Sequence, residues 1–88
     1  MSERLDGLRV MVVEDEPLQA IHYQELLDVA GAVVIGPFAS ASAAKAELEE
    51  TAIDVVIVDF ALEGETTASL QSELAERNVP FVVVTAYP

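Results

Sequence analysis

Apolar residues along this chain come in short unbroken runs, separated by stretches that carry a helical period. Leu8 to Val13 is β-rich without polar alternation, the pattern of a strand covered on both faces in a parallel sheet. Pro17 suits the first turn of a helix behind an Asp15 or Glu16 cap, and Ala20, Tyr23, Leu27 and Ala30 recur at helical spacing until Gly31 supplies a stop. Ala32 to Ile35 reads as a second short strand ended by Gly36-Pro37; Ser40 or Ser42 then caps a helix through Ala44 and Leu48. Asp54 to Phe60 forms a third strand, and the loop 61-ALEGETT-67 leads into a helix over Ser69 to Arg77. Asn78-Val79-Pro80 breaks that helix, and 81-FVVVT-85 is a fourth buried strand.

The order βαβαβαβ predicts a parallel sheet with right-handed crossovers and helices on both faces. In such sheets ligands bind beyond the carboxyl ends of the strands, where strand order reverses. Glu14 and Asp15 fall at the end of the first strand, Asp59 at the end of the third and Thr85 at the end of the fourth, so all four converge on one rim.

Composition narrows the function classes. The 88 residues make one small domain, 1–88, with no room for a second core, and the apolar runs are too short to span a bilayer. A net charge of −12 argues against binding to nucleic acid or anionic membrane surfaces and favours cations and basic protein surfaces. There is no cysteine, hence no disulfide framework or thiolate metal site, and MSERLDGLRV lacks the apolar core of a signal peptide. A cytoplasmic location is expected.

Carboxylates crowded on one rim repel each other unless a cation shares the site. All candidate ligands are hard oxygens, which favours Mg²⁺, with Mn²⁺ or Ca²⁺ as alternatives, over zinc or copper. Mg²⁺ takes one or two protein carboxylates and a phosphate oxygen, so the rim suits phosphoryl chemistry. Asp59 ends a central strand and precedes a polar loop, which makes it the candidate nucleophile; the adjacent Glu14 and Asp15 are better placed to chelate. The Thr85 hydroxyl is placed to hydrogen-bond a resulting phosphate.

VVEDEP, VVIVDFAL and PFVVVTAY, in this order and spacing, resemble the acidic pair, phosphoacceptor strand and switch-threonine strand of the receiver domains of bacterial response regulators, the CheY-like superfamily. The resemblance runs from Arg9 to Tyr87. It implies a flavodoxin-like three-layer α/β sandwich around a parallel sheet, and a two-component signalling module rather than an enzyme acting on an external metabolite. It further implies that Glu14, Asp15, Asp59 and the carbonyl of Ala61 hold Mg²⁺. Asp59 would accept phosphate from a histidine kinase or phosphotransfer protein, and Thr85 would move toward the phosphoryl group. LEGE and PFVVVTAY are also similar to a subgroup whose last motif commonly reads PFxFxTGY, with Ala86 where that subgroup has glycine.

Against the family pattern, the chain stops after the fourth strand, so the last helix-strand-helix and its lysine are expected to be missing; Lys45, the one lysine, sits in the second helix. Two expectations follow: self-association through the apolar edge 79–86, and slow or poorly coupled phosphotransfer. The alternative function is a phosphorylation-incompetent pseudo-receiver serving as an interaction or dimerisation module. A phosphatase-type hydrolase is disfavoured because Ala61 occupies the position of its second acid, and a dinucleotide-binding half-domain because no glycine-rich turn follows the first strand. Blander readings also exist. Glu14-Asp15-Glu16 would serve as a helix cap, Asp59 as an ordinary strand end and Thr85 as a strand former. His22 would be an exposed helical residue, Phe38, Phe60 and Phe81 packing groups, and Glu47, Glu49 and Glu50 with Lys45 a solvated helix face.

Overall fold

In the computed structural model, residues 5–62 and 64–85 are described; Ala86 and Tyr87, the end of the PFVVVTAY motif, lie outside them. The elements run β1 (Arg9–Val13), α1 (Pro17–Ala30), β2 (Val33–Phe38), α2 (Ala41–Glu50), β3 (Val55–Asp59), β4 (Ala61–Leu62), β5 (Glu65–Thr66), α3 (Ala68–Glu76) and β6 (Phe81–Val84). β1, β2, β3 and β6 pair in parallel in the order β2-β1-β3-β6, while β4 and β5 form a separate antiparallel hairpin.

Alternation along the central strands separates two apolar layers. Met11, Val13, Val56 and Val58 point to one face and meet Ala44 and Leu48 of α2 and Leu70 and Leu74 of α3. Val10 and Val12, with Val55 and Ile57, point to the other and meet Tyr23 and Leu27 of α1. Both faces of β1 are therefore dry, which is why its sequence shows no polar alternation. The α/β three-layer arrangement is the one the order of elements predicts.

Each helix start has its own chemistry. Glu16, not Asp15, caps α1: its carboxylate accepts the Gln19 N–H at 3.0 Å, and Pro17 occupies the first turn. At the far end Gly31 takes φ 93°, the left-handed turn that closes the helix. Ser40 caps α2 through its hydroxyl to the Ala43 N–H. At α3 the cap-position residue, Thr67, makes no capping hydrogen bond.

Three local differences from the sequence reading have physical causes. β2 does not end at Gly36-Pro37 but runs through it to Phe38, with a register shift opposite Met11–Val13. Proline is tolerated because β2 is an edge strand, and Gly36 is needed there: at φ +106° a Cβ would lie 2.9 Å from the Val12 carbonyl oxygen and the Phe38 ring. The loop after β3 contains the β4–β5 hairpin. β6 ends at Val84 and is not fully buried, because it is the other edge; Val82 and Val83 remain 54% and 39% exposed.

Among the described residues no helix is long and apolar enough to cross a membrane. The face under α2 and α3 depends most on Leu70 and Leu74, both 0% exposed. Leu70→Ala is expected to cost about 2–5 kcal/mol or leave no folded baseline, whereas Leu18→Ala, on the exposed side of α1, should stay within about 0.5 kcal/mol of wild type. Denaturant titration of both variants checks this, and equal costs would contradict the layer assignment.

Candidate functional site

Strand order reverses between β1 and β3: from β1 the chain moves outward to β2, then returns to the other side of β1. A crevice at the carboxyl ends of such a pair is where open α/β sheets place their ligands. Glu14 and Asp15 follow β1 directly, and Asp59 is the last residue of β3. One carboxylate oxygen from each of the three lies within 4.8 Å of the others. Glu14 and Asp59 are buried, at 4% and 6% exposure, and Asp15 is half-buried.

The backbone around the cluster is tied down. The Glu14 N–H donates to the Phe38 carbonyl at 2.9 Å, so the extension of β2 past Pro37 holds the first acidic residue in place. The Glu14 carboxylate accepts the Glu16 N–H at 3.1 Å, while Glu16 turns away to cap α1. The EDE triplet is thus divided: two residues face the rim and the third is the helix cap. Asp59 Oδ1 accepts the Ala61 N–H at 3.3 Å.

Burial raises the pKa of the Glu14 carboxyl above its ordinary value; the Glu16 N–H opposes this, and the neighbouring Asp59 and Asp15 add to the rise. Partial burial pushes the Tyr23 phenol upward, and the charges of Glu14 and Asp59 add to the rise. The described basic side chains are engaged elsewhere: Arg9 with the Ala52 carbonyl, Lys45 with Ser69, and Arg77 with Glu49 and Glu73. Among the described residues the cluster consists of three carboxylates, a donor set for a hard divalent cation, and binding of such an ion would relieve their mutual repulsion.

Thr85 lies just beyond Val84, the residue paired with Asp59, so it stands at the same rim on the neighbouring strand; it is exposed. Ala61 lies in β4, two residues after Asp59. His22 is exposed on α1, beside the Tyr23 ring.

One residue at this site is not singled out by sequence reasoning. Thr67 is 0% exposed. Its hydroxyl lies 2.7 Å from the Asp59 carbonyl and 3.0 Å from the Phe60 carbonyl, and it accepts the Gln71 side-chain amide at 2.9 Å. In sequence, Thr67 falls at the end of the loop 61-ALEGETT-67. Here the hydroxyl faces back toward the strand, a direction that the local pattern does not encode.

A flavodoxin-like parallel sheet thus carries the acidic cluster at its switch point. The family model for the response regulator receiver domain matches residues 10–88, and the chain belongs to that family. Among solved structures, it is similar to the response regulator PhyR from Brucella abortus, at 29% identity and a TM-score of 0.86, over 97% of this chain and 36% of that one. It is also similar to the BeF3-activated conformation of SdrG from Pseudomonas melonis Fr1, at 31% identity and a TM-score of 0.82, over 100% of this chain and 73% of that one. The chain thus spans about a third of the length of PhyR. No curated protein matches the sequence significantly.

The raised Glu14 pKa fixes the sign of a pH dependence. The native state holds this proton more tightly than the unfolded chain, so the stabilisation is fully present below the ordinary value of 4.5 and is lost as pH rises through the higher folded value. In metal-free buffer the thermal midpoint should fall across that window, and Glu14→Gln should flatten the fall. Scanning calorimetry over a pH series measures it, and an identical slope in the variant would contradict the electrostatic assignment.

Proposed function

We propose that this chain is a phosphoacceptor module of two-component signalling, taking a phosphoryl group onto Asp59 in a Mg²⁺-dependent reaction. The observation that carries this reading is the convergence of Glu14, Asp15 and Asp59 within 4.8 Å at the β1/β3 switch point of a receiver-family chain. Glu14, Asp15, Asp59 and the Ala61 carbonyl would hold the ion. The chemistry that bound Mg²⁺ supplies is neutralisation of charge on the transferring group and its orientation.

The remaining steps belong to the protein. An oxygen of the Asp59 carboxylate bonds to phosphorus as the P–N bond of a donor phosphohistidine breaks; the electron pair stays on the imidazole nitrogen, which takes up a proton. The donor is a histidine kinase or phosphotransfer protein. Burial of Glu14 and Asp59 limits water around the acyl phosphate, and the Thr85 hydroxyl donates a hydrogen bond to a phosphoryl oxygen. The change in charge biases a two-state equilibrium at the β6 end of the rim.

Intact-mass spectrometry after incubation with acetyl phosphate tests the reading. A gain of one phosphoryl group is expected with Mg²⁺, not without it, and not in Asp59→Asn. A folded wild type that takes up no phosphoryl group would overturn it and leave an interaction module.

The same proposal includes self-association through the 79–86 edge, supported by the edge position of β6 and the exposure of Val82 and Val83. Light scattering on a size-exclusion column should show a mass that rises with concentration and falls toward the monomer in Val82→Lys. A monomer at every concentration would remove this part of the proposal.

A further inference from the structure

Thr67 stands outside the acidic cluster, yet it is bonded to the backbone of the residue that would carry the phosphoryl group. Its Oγ1 lies 2.7 Å from the Asp59 carbonyl and 3.0 Å from the Phe60 carbonyl. These oxygens belong to the two consecutive peptide planes between the Asp59 Cα and Ala61. Holding both planes fixes the direction in which the chain leaves β3. That direction sets the position of the Ala61 N–H, which lies 3.3 Å from Asp59 Oδ1, and with it that of the Ala61 backbone as a whole.

The hydroxyl is itself held. The Gln71 amide donates to Oγ1 at 2.9 Å, which occupies a lone pair and leaves the single hydroxyl hydrogen for the two carbonyls. At 0% exposure, no solvent competes for that hydrogen. Closing the loop does not require the hydroxyl, because the Thr67 N–H already bonds the Phe60 carbonyl at 3.1 Å. What the side chain adds is a bond to Asp59, made across the β4–β5 hairpin. On the other side, the Glu65 carboxylate of β5 accepts the Ala41 N–H at the start of α2, so the hairpin is braced against both β3 and α2.

We propose that Thr67, oriented by Gln71, is a positioning residue: its hydroxyl sets the geometry of the Asp59–Ala61 segment, and so governs both cation affinity and the rate at which Asp59 takes a phosphoryl group. The inference rests on the phosphoacceptor reading above. Misplacement of a reacting group or ligand by a fraction of an ångström is enough to slow a reaction that depends on alignment.

The test compares wild type, Thr67→Val, Thr67→Ser and Gln71→Met in two assays well below their melting temperatures. The first is the acetyl phosphate reaction followed by intact mass, in which an Asp59 carboxylate oxygen bonds phosphorus and acetate leaves with the electron pair. The second is calorimetric titration with Mg²⁺ alone. Thr67→Val should slow phosphorylation and weaken Mg²⁺ binding by about tenfold each, with Thr67→Ser restoring both to within about threefold of wild type. Gln71→Met should shift both in the same direction by less. A folded Thr67→Val with wild-type rate and affinity would overturn the proposal, as would a loss that serine does not restore. If Thr67→Val does not fold, Gln71→Met decides: wild-type behaviour overturns the proposal, and a partial loss in both assays supports it. If wild type takes up no phosphoryl group, the phosphoacceptor reading fails, and the positioning role stands or falls on the Mg²⁺ titration.

Discussion

Gathering Glu14, Asp15 and Asp59 within 4.8 Å at the edge of a dry sheet is electrostatically unfavourable, and much of the surrounding structure can be understood as the means of enforcing it. Carboxylates free to move would separate. These are held because β1, buried on both faces, pairs with β3, buried on one face and half-buried on the other, so the residues that end them have little choice of position. The strain appears in Glu14, whose proton is held more tightly than usual because its charge is both desolvated and repelled. A cation placed among these carboxylates would relieve the repulsion, and any ion that binds the folded state alone stabilises it by mass action.

Enforcement also depends on backbone contacts from outside the cluster. The bulge around Gly36-Pro37 carries β2 far enough for the Phe38 carbonyl to fix the Glu14 N–H. Glu16 caps α1 and so keeps its own charge out of the rim, though it is adjacent to the other two in sequence. Thr67 acts from the far side of the hairpin on the chain just after Asp59. The same residue types that would serve as ordinary caps in another loop are here divided between capping a helix and bonding the backbone beside Asp59.

How much of this was legible in sequence depends on whether the signal was local. The run VMVV announced a strand dry on both faces and VVIV a second apolar strand, and from the order of elements the sheet, its layers and the convergence of Glu14, Asp15 and Asp59 followed. Family membership agrees with the motifs that suggested it. What was not legible needed partners distant in the chain. Gly36-Pro37 reads locally as a strand breaker, and only the edge position of β2 lets pairing continue through it. Thr67 reads as one more polar residue of the loop 61-ALEGETT-67, and only the folded hairpin turns its hydroxyl toward Asp59. The fourth strand reads as buried because its residues are apolar, but exposure is set by which strand pairs beside it, and that is a property of the sheet.

The two sheet edges show how sequence chemistry manages that property unequally. At β2 a proline without an N–H and a register shift blunt the edge, both of which discourage a further strand from pairing there. At β6, Val82 and Val83 are exposed and the described residues contain no bulge or proline between Phe81 and Val84. Pairing at that edge is opposed by the net charge of −12, a long-range repulsion that salt screens over about 10 Å at 0.1 M, whereas burial of apolar surface is short-ranged and little weakened by salt. Any association through β6 must therefore strengthen as ionic strength rises. An association held by ion pairs would weaken under the same change, so the salt dependence identifies which force holds the edge.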